Sequence, residues 1–220
     1  FLEQIIKRLT NRSKMDMVMK EKTTKIGRIF IFIGLLLIVA ALSLLLYNLW
    51  DARRAEQRQS EILVEFQEEA GDESQVPAQE IPDYVLNPEM EMPQVLLEQE
   101  NLACIGVLEI PAIDLQLPVL SEWSYPLLKE APCRYSGSVY MDNLVIAAHN
   151  YPTHFGKLNS LQIGDEVSFT DALGNRFEYK VAAVEALSAQ SVEDMTSGEW
   201  PLSLFTCTLD GKNRVTVRCE

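Results

Sequence analysis

The chain predicts an all-β domain, a barrel or a sandwich, preceded by one membrane-spanning helix. Three observations predict it. Residues 101–220 break into about eight short apolar or alternating runs of strand length, separated by turn residues and with little helical periodicity. Residues 29–50, IFIFIGLLLIVAALSLLLYNLW, carry no charge. Residues 51–100 hold three Lys/Arg against fourteen Asp/Glu, so the two parts are joined by a stretch of quite different composition.

The elements follow in order. Residues 1–28 carry eight Lys/Arg against three Asp/Glu. Phe1 is not a start residue, and Met15, Met17 and Met19 each stand where a start would fall just ahead of the basic flank. The 22 residues of 29–50 make a helix of about 33 Å, enough for a hydrocarbon core of about 30 Å. A cleaved signal peptide has a shorter apolar core, about 7–15 residues, and a small-residue exit; here YNLWDARRAEQ follows. Tyr47 and Trp50 suit the interfacial belt. Lys20, Lys22, Lys25 and Arg28 before the span outweigh Arg53, Arg54 and Arg58 after it. The positive-inside rule then puts 1–28 in the cytoplasm and everything after the single span outside the cell membrane.

Residues 51–100 read as stalk and linker. Ala52–Ala70 has helix-forming composition with a thin stripe of Ile62, Leu63 and Phe66, a continuation of the membrane helix outward. Gly71–Pro93 is acidic and proline-rich, the composition of a solvated spacer. The alternative is that Ile81–Pro93 lies over the domain, because Tyr84, Val85 and Leu86 are apolar for a free linker. In 101–220 the strands include CIGVLEI, IDLQLPV, NLVIAAH, DEVSFTD, RFEYKVAAVEAL, LSLFTCT and RVTVRC, with short helices at Ser124–Lys129 and His154–Leu161.

Composition excludes several functions. A net charge of −13 argues against nucleic acid, whose phosphates want a basic face. The four cysteines, Cys104, Cys133, Cys207 and Cys219, contain no C-x-x-C, so neither a zinc ribbon nor a dithiol redox pair is indicated. No cofactor or metal is expected.

Chemistry enters at LFTCTLDGKNRVTVRC. Asp210-Gly211 is a strong hairpin signal, since both central positions of a type I′ turn need φ > 0. Centring the hairpin there opposes Cys207 to Arg214 on one face, about 4.5–5.5 Å apart at Cβ. The same register sets Arg218 against Ser203, on the same face but about 13 Å along the strand. Cys219 falls on the other face with Val215 and Val217, as core. An arginine beside a thiol favours thiolate and offers donors to a developing oxyanion. A solvated arginine beside a half-buried cysteine accounts for the pairing as well. A thiol nucleophile needs a proton partner, and the chain has two histidines. His149 ends the run LVIAAH where a strand opens into a loop, on rigid structure with access to solvent. His154, inside that loop, reads as exposed or as a cap for the helix that follows. The order His before Cys, without CGSCW or QACRG, fits neither papain-like nor caspase-like enzymes.

At His149, Cys207 and Arg214 the chain resembles the sortases, cell-surface cysteine transpeptidases of Gram-positive bacteria. IGVLEIPAIDLQLPV is similar to the family's opening strand pair, LVIAAHNYPTHFGKLNSLQIGDEV to its histidine segment, and SLFTCTLDGKNRVTV to its T-L-x-T-C stretch and arginine strand. Ser203 stands where the family usually has Thr, and Ala148 where Gly often precedes the histidine; neither is a reacting group. No Asp-Pro-aromatic lid motif of the pilin-building members occurs in the linker, and no acidic cluster matches the calcium site of some members, so the subclass stays open.

The resemblance implies a closed eight-stranded barrel over 101–220. It implies Cys207 as nucleophile, His149 as acid and base, and Arg214 as holder of substrate and oxyanion. The implied substrate is a protein with an LPXTG-like sorting signal, attacked at its Thr–Gly bond to form a thioacyl-enzyme. The implied acceptor is a peptidoglycan amine or a pilin lysine. Cys104 and Cys133 are expected to be small apolar fillers, Cys133 in a loop near the site. Two other readings are a non-catalytic anchored β-domain that binds wall or protein ligands, and a secreted cysteine protease that prefers water as acceptor.

Overall fold

The computed structural model describes residues 2–73, 81–97, 101–197 and 199–220. The chain divides into two compact units, Phe1–Asp51 and Ala52–Glu220. Helix α1 runs Leu2–Glu73. In the first unit, its apolar side chains from Phe30 to Trp50 are exposed on every side, and this stretch is long and apolar enough to cross a membrane.

The second unit is built on nine strands among the described residues: β1 (Val95–Leu97), β2 (Leu102–Ile110), β3 (Leu115–Leu120), β4 (Cys133–Ser136), β5 (Leu144–Ala147), β6 (Glu166–Asp171), β7 (Arg176–Ser188), β8 (Leu202–Cys207) and β9 (Asn213–Cys219). Their order is β1-β2-β3-β4-β5-β8-β9-β7-β6, and β6 pairs back onto β2, so eight strands close into a barrel with β1 as an extra edge. Short helical turns at Leu127–Lys129 and Phe155–Ser160 fall inside the two segments expected to be helical.

Closure depends on Gly106. Strand β2 bulges between Cys104 and Gly106, and a Cβ at Gly106 would lie 2.2 Å from the Thr170 carbonyl oxygen across the β2–β6 seam. Only a residue without a side chain permits that approach.

The period-2 alternation of each strand sorts its side chains between two cores. Ile105, Leu108, Leu117, Leu144, Ile146, Phe169, Leu202, Leu204 and Val217 fill the barrel interior. Cys219 is fully buried in that interior, as its register predicts. Cys104, Val107, Leu120, Cys133, Val145, Ala147 and Phe205 point outward into a second cluster. Ile62 and Phe66 of α1 cover this cluster, so in the second unit the stalk stripe packs on the barrel wall. Arg58 Nε, 2.8 Å from a Glu130 carboxylate oxygen, ties the same helix to the β3–β4 connection.

The spacer expectation for Gly71–Pro93 is corrected where the chain is described. Helix α2 (Asp83–Leu86) presents Tyr84, which stacks on Tyr140 with centroids 4.7 Å apart and an interplanar angle of 6°. Met92 is buried in the interior cluster, and β1 already belongs to the sheet. Acidic composition did not outweigh the apolar area these side chains bury. Residues 74–80, the rest of that linker, lie outside the described residues.

Candidate active site

Strands β8 and β9 pair with the register read from the sequence: Cys207 opposite Arg214, and Ser203 opposite Arg218. The turn itself differs. Gly211 N donates to Thr208 O at 2.9 Å and Thr208 N donates to Asn213 O at 2.9 Å, so residues 209–212 form a four-residue loop. Of the Asp-Gly pair only Gly211 has positive φ, at 70°, whereas a type I′ turn needs both. The Asp210 carboxylate instead accepts hydrogen bonds from Thr208 Oγ1 at 2.6 Å and from Lys212 N at 3.2 Å. These bonds, the Thr208 hydroxyl's first, hold it below the usual carboxylate range. A two-residue and a four-residue loop with the same centre impose the same register. The pairing therefore survives the change of turn.

Strand β5 lies parallel to β8 on its other side, with Leu144 level with Leu202 and Ala147 level with Phe205. Carried two residues beyond the strand, that offset puts His149 level with Cys207. Two bonds hold the continuation: Ala148 N donates to Phe205 O at 3.2 Å, and Thr206 Oγ1 donates to Ala148 O at 2.8 Å. Phe155 N, donating to His149 O at 3.1 Å, anchors the loop that follows. His149, Cys207 and Arg214 thus fall in one row along β9, β8 and the chain that continues β5. Neighbouring strands lie about 4.8 Å apart. Ala147 and Phe205 belong to the outer cluster, so residues two further on share that outward face.

Cys207 is exposed, while Cys104, Cys133 and Cys219 are buried. Burial pushes those three thiols up to about 12, which removes them as nucleophiles. Cys133 sits in β4 opposite Ala147, not in a loop as expected. Arg214 Nη1 donates to Asn213 O at 3.1 Å and to Gly211 O at 3.3 Å, bracing the guanidinium on the hairpin turn. A guanidinium has five N–H donors, more than these two bonds use.

His154 is the clearest departure. Expected to be exposed or to cap the helix that follows, it stands at the N-cap position of Phe155–Ser160 without a side-chain cap bond; it is fully buried, and its ring nitrogens have no hydrogen-bond partner among the described residues. Tyr151 stands between the two histidines, 5.0 Å from the His149 ring and 5.4 Å from that of His154. Burial first, and then the charge of His149, lower His154 from 6.5 to about 4.

The register places Arg218 opposite Ser203, but the other partners it gathers, and an aromatic row beyond, have no periodicity that would reveal them in the sequence. Arg218, 4% exposed, donates to Glu185 Oε1 (2.9 Å), Ser203 Oγ (2.9 Å), Asp194 O (2.5 Å) and Met195 O (3.2 Å). It pins helix α3 (Val192–Met195), in the β7–β8 crossover, against the outer face of β8. On the opposite flank an aromatic row starts at Phe205. Among the described residues no three His, Cys, Asp or Glu side chains gather into a group that could hold a metal.

The barrel carries an exposed cysteine, a facing arginine and a strand-end histidine at neighbouring positions of its outer face. The family model described as a sortase domain matches residues 108–220, just over half of the chain. The chain belongs to the sortase family, whose members are transpeptidases. Its fold is similar to that of sortase A from Corynebacterium diphtheriae, with 19% identity, 73% of this chain and 82% of that chain covered, and a TM-score of 0.50. It is also similar to a Clostridium perfringens sortase D5 transpeptidase, with 18% identity, 74% and 95% covered, and a TM-score of 0.51. Sortase C from Clostridium perfringens SM101 matches with 20% identity over 74% of this chain and 89% of that chain, at a TM-score of 0.45. Among curated proteins no match is found.

Proposed function

We propose that this sortase is anchored by residues 29–50 with its N-terminus in the cytoplasm. Its barrel, outside the cell, cleaves an LPXTG-like sorting signal with Cys207, His149 and Arg214. The observation that carries the reading is the exposed Cys207 facing Arg214 across β8 and β9, with the chain that leads to His149 continuing β5 alongside. The sulfur attacks the threonine carbonyl carbon, a C–S bond forms, and the Thr–Gly C–N bond breaks. His149 gives its proton to the departing amine. Arg214, braced by the turn, offers donors to the oxyanion without first having to reorganise. An incoming amine, from peptidoglycan or a pilin lysine, then loses a proton to His149 and attacks the thioester. A new amide forms and the sulfur leaves as thiolate.

The test uses the full chain in detergent micelles, a panel of LPXTG-like peptides and an amine, with mass spectrometry of the protein. A thioacyl adduct on Cys207, absent in Cys207→Ala and discharged faster by amine than by water, is the expected result. A folded protein that forms no adduct with any peptide would sink the reading.

A further inference from the structure

We propose that an aromatic row on the outer face of the barrel reads the residue immediately upstream of the sorting signal and prefers an aromatic side chain there. This deepens the reading of Cys207 as nucleophile and rests on it. Phe205 lies on the same face of β8 as Cys207 and two residues before it, about 7 Å away. Tyr135 meets Phe205 edge-on, centroids 5.1 Å apart at 85°. Trp123 meets Tyr135 edge-on at 5.3 Å and 78°, and Tyr125 leans on Trp123 at 5.3 Å and 58°.

Exposure rises along the row. Phe205 is 7% exposed, Trp123 38% and Tyr125 71%. The inner end is packed, whereas the outer end leaves two large rings in water that a bound side chain would cover. Trp123 and Tyr135 flank a groove of about 550 Å³ whose other lining includes Ser121, Ser136 and Gly137, small residues that leave room for a ring.

Distance sets the furthest position that the row can read. From Cys207 through Phe205 and Tyr135 to Trp123 the path is at most about 17 Å, five residues of extended peptide at about 3.3 Å each. Four residues of an LPXTG-like signal precede its cleaved bond, so the fifth lies just upstream of the signal. Each ring in the row already meets its neighbour edge-on or tilted, the arrangement aromatic pairs prefer, so an incoming ring extends the series better than an aliphatic chain. Glu122 and Arg134 both line the groove, so its charges are mixed and the rings carry the preference.

The test measures formation of the thioacyl-enzyme by the full chain in micelles, with two peptides identical except for Phe or Gly before the signal. The Phe peptide is expected to acylate Cys207 about tenfold faster than the Gly peptide at low concentration, through KM. Trp123→Ala and Tyr125→Ala should each bring the ratio of the Phe to the Gly peptide's rate down to about one. Trp123→Phe should retain the Phe advantage. Tyr125 is too exposed for its truncation to unfold the barrel, so loss of selectivity in that variant reports on the row. Equal acylation by the Phe and Gly peptides would overturn this inference and leave Cys207 as nucleophile. No adduct from any peptide would overturn both.

Discussion

His154 makes the stability of the barrel steeply dependent on pH. The buried ring titrates at about 4, against 6.5 for an unperturbed histidine. Between those values the unfolded chain binds a proton that the folded chain refuses. Stability is therefore whole above pH 6.5 and is lost as the pH falls toward 4. A shift of about 2.5 units at about 1.4 kcal/mol each, half-saturated at pH 4, gives a loss of about 3 kcal/mol between pH 7 and pH 4. The ring is fully buried, so solvent screening takes nothing from the figure. His154→Phe removes the titration and also two buried nitrogens that have no hydrogen-bond partner among the described residues. The variant should be at least as stable as the parent at pH 7, by up to about 2 kcal/mol. It should then lose about 3 kcal/mol less than the parent on acidification. The assay is urea unfolding of the compact unit Ala52–Glu220, followed by tryptophan fluorescence at half-unit pH steps. Carboxylates contribute equally to both proteins, so the difference between the two curves carries the result. Parallel curves for parent and variant from pH 7 to pH 4 would refute the reasoning.

Gly106→Ala drives a Cβ to 2.2 Å from the Thr170 oxygen, and should cost about 3 kcal/mol or more and loosen the β2–β6 seam, read as lost amide protection on both strands. Ile62→Ala empties a fully buried position between α1 and the barrel wall; a loss of about 2–4 kcal/mol in chemical denaturation is expected. Iodoacetamide on the native protein should label Cys207 alone, and all four thiols only after denaturation, as counted by mass spectrometry. Labelling of Cys133 in the native state would contradict its burial in the outer cluster.

What was legible beforehand depended on the range of the interaction. The pairing of Cys207 with Arg214 was readable because the hairpin is local: its register depends only on where the turn is centred, and Asp210-Gly211 marks that centre even though the loop proves to be four residues long. Cys219 as core followed from the same two-residue period. His154 was misread because nothing near it in the chain distinguishes a solvent-facing histidine from one lodged against Tyr151. The aromatic row was invisible for the same reason, since residues 123, 125, 135 and 205 come from separate loops and strands.

By itself, then, the sequence determined the charge-free span, the alternating strands and the cysteine–arginine hairpin, all set by composition or by contacts a few residues apart. Only the tertiary structure decided that β5 lies parallel beside β8 at the offset that brings His149 level with Cys207. It also decided that Tyr84 and Met92 leave their acidic surroundings to pack on the barrel, Tyr84 on Tyr140 just ahead of β5 and Met92 in the interior cluster. Such pairings join residues tens of positions apart. They are selected by burial of apolar area over the whole barrel, a quantity no local stretch of sequence contains.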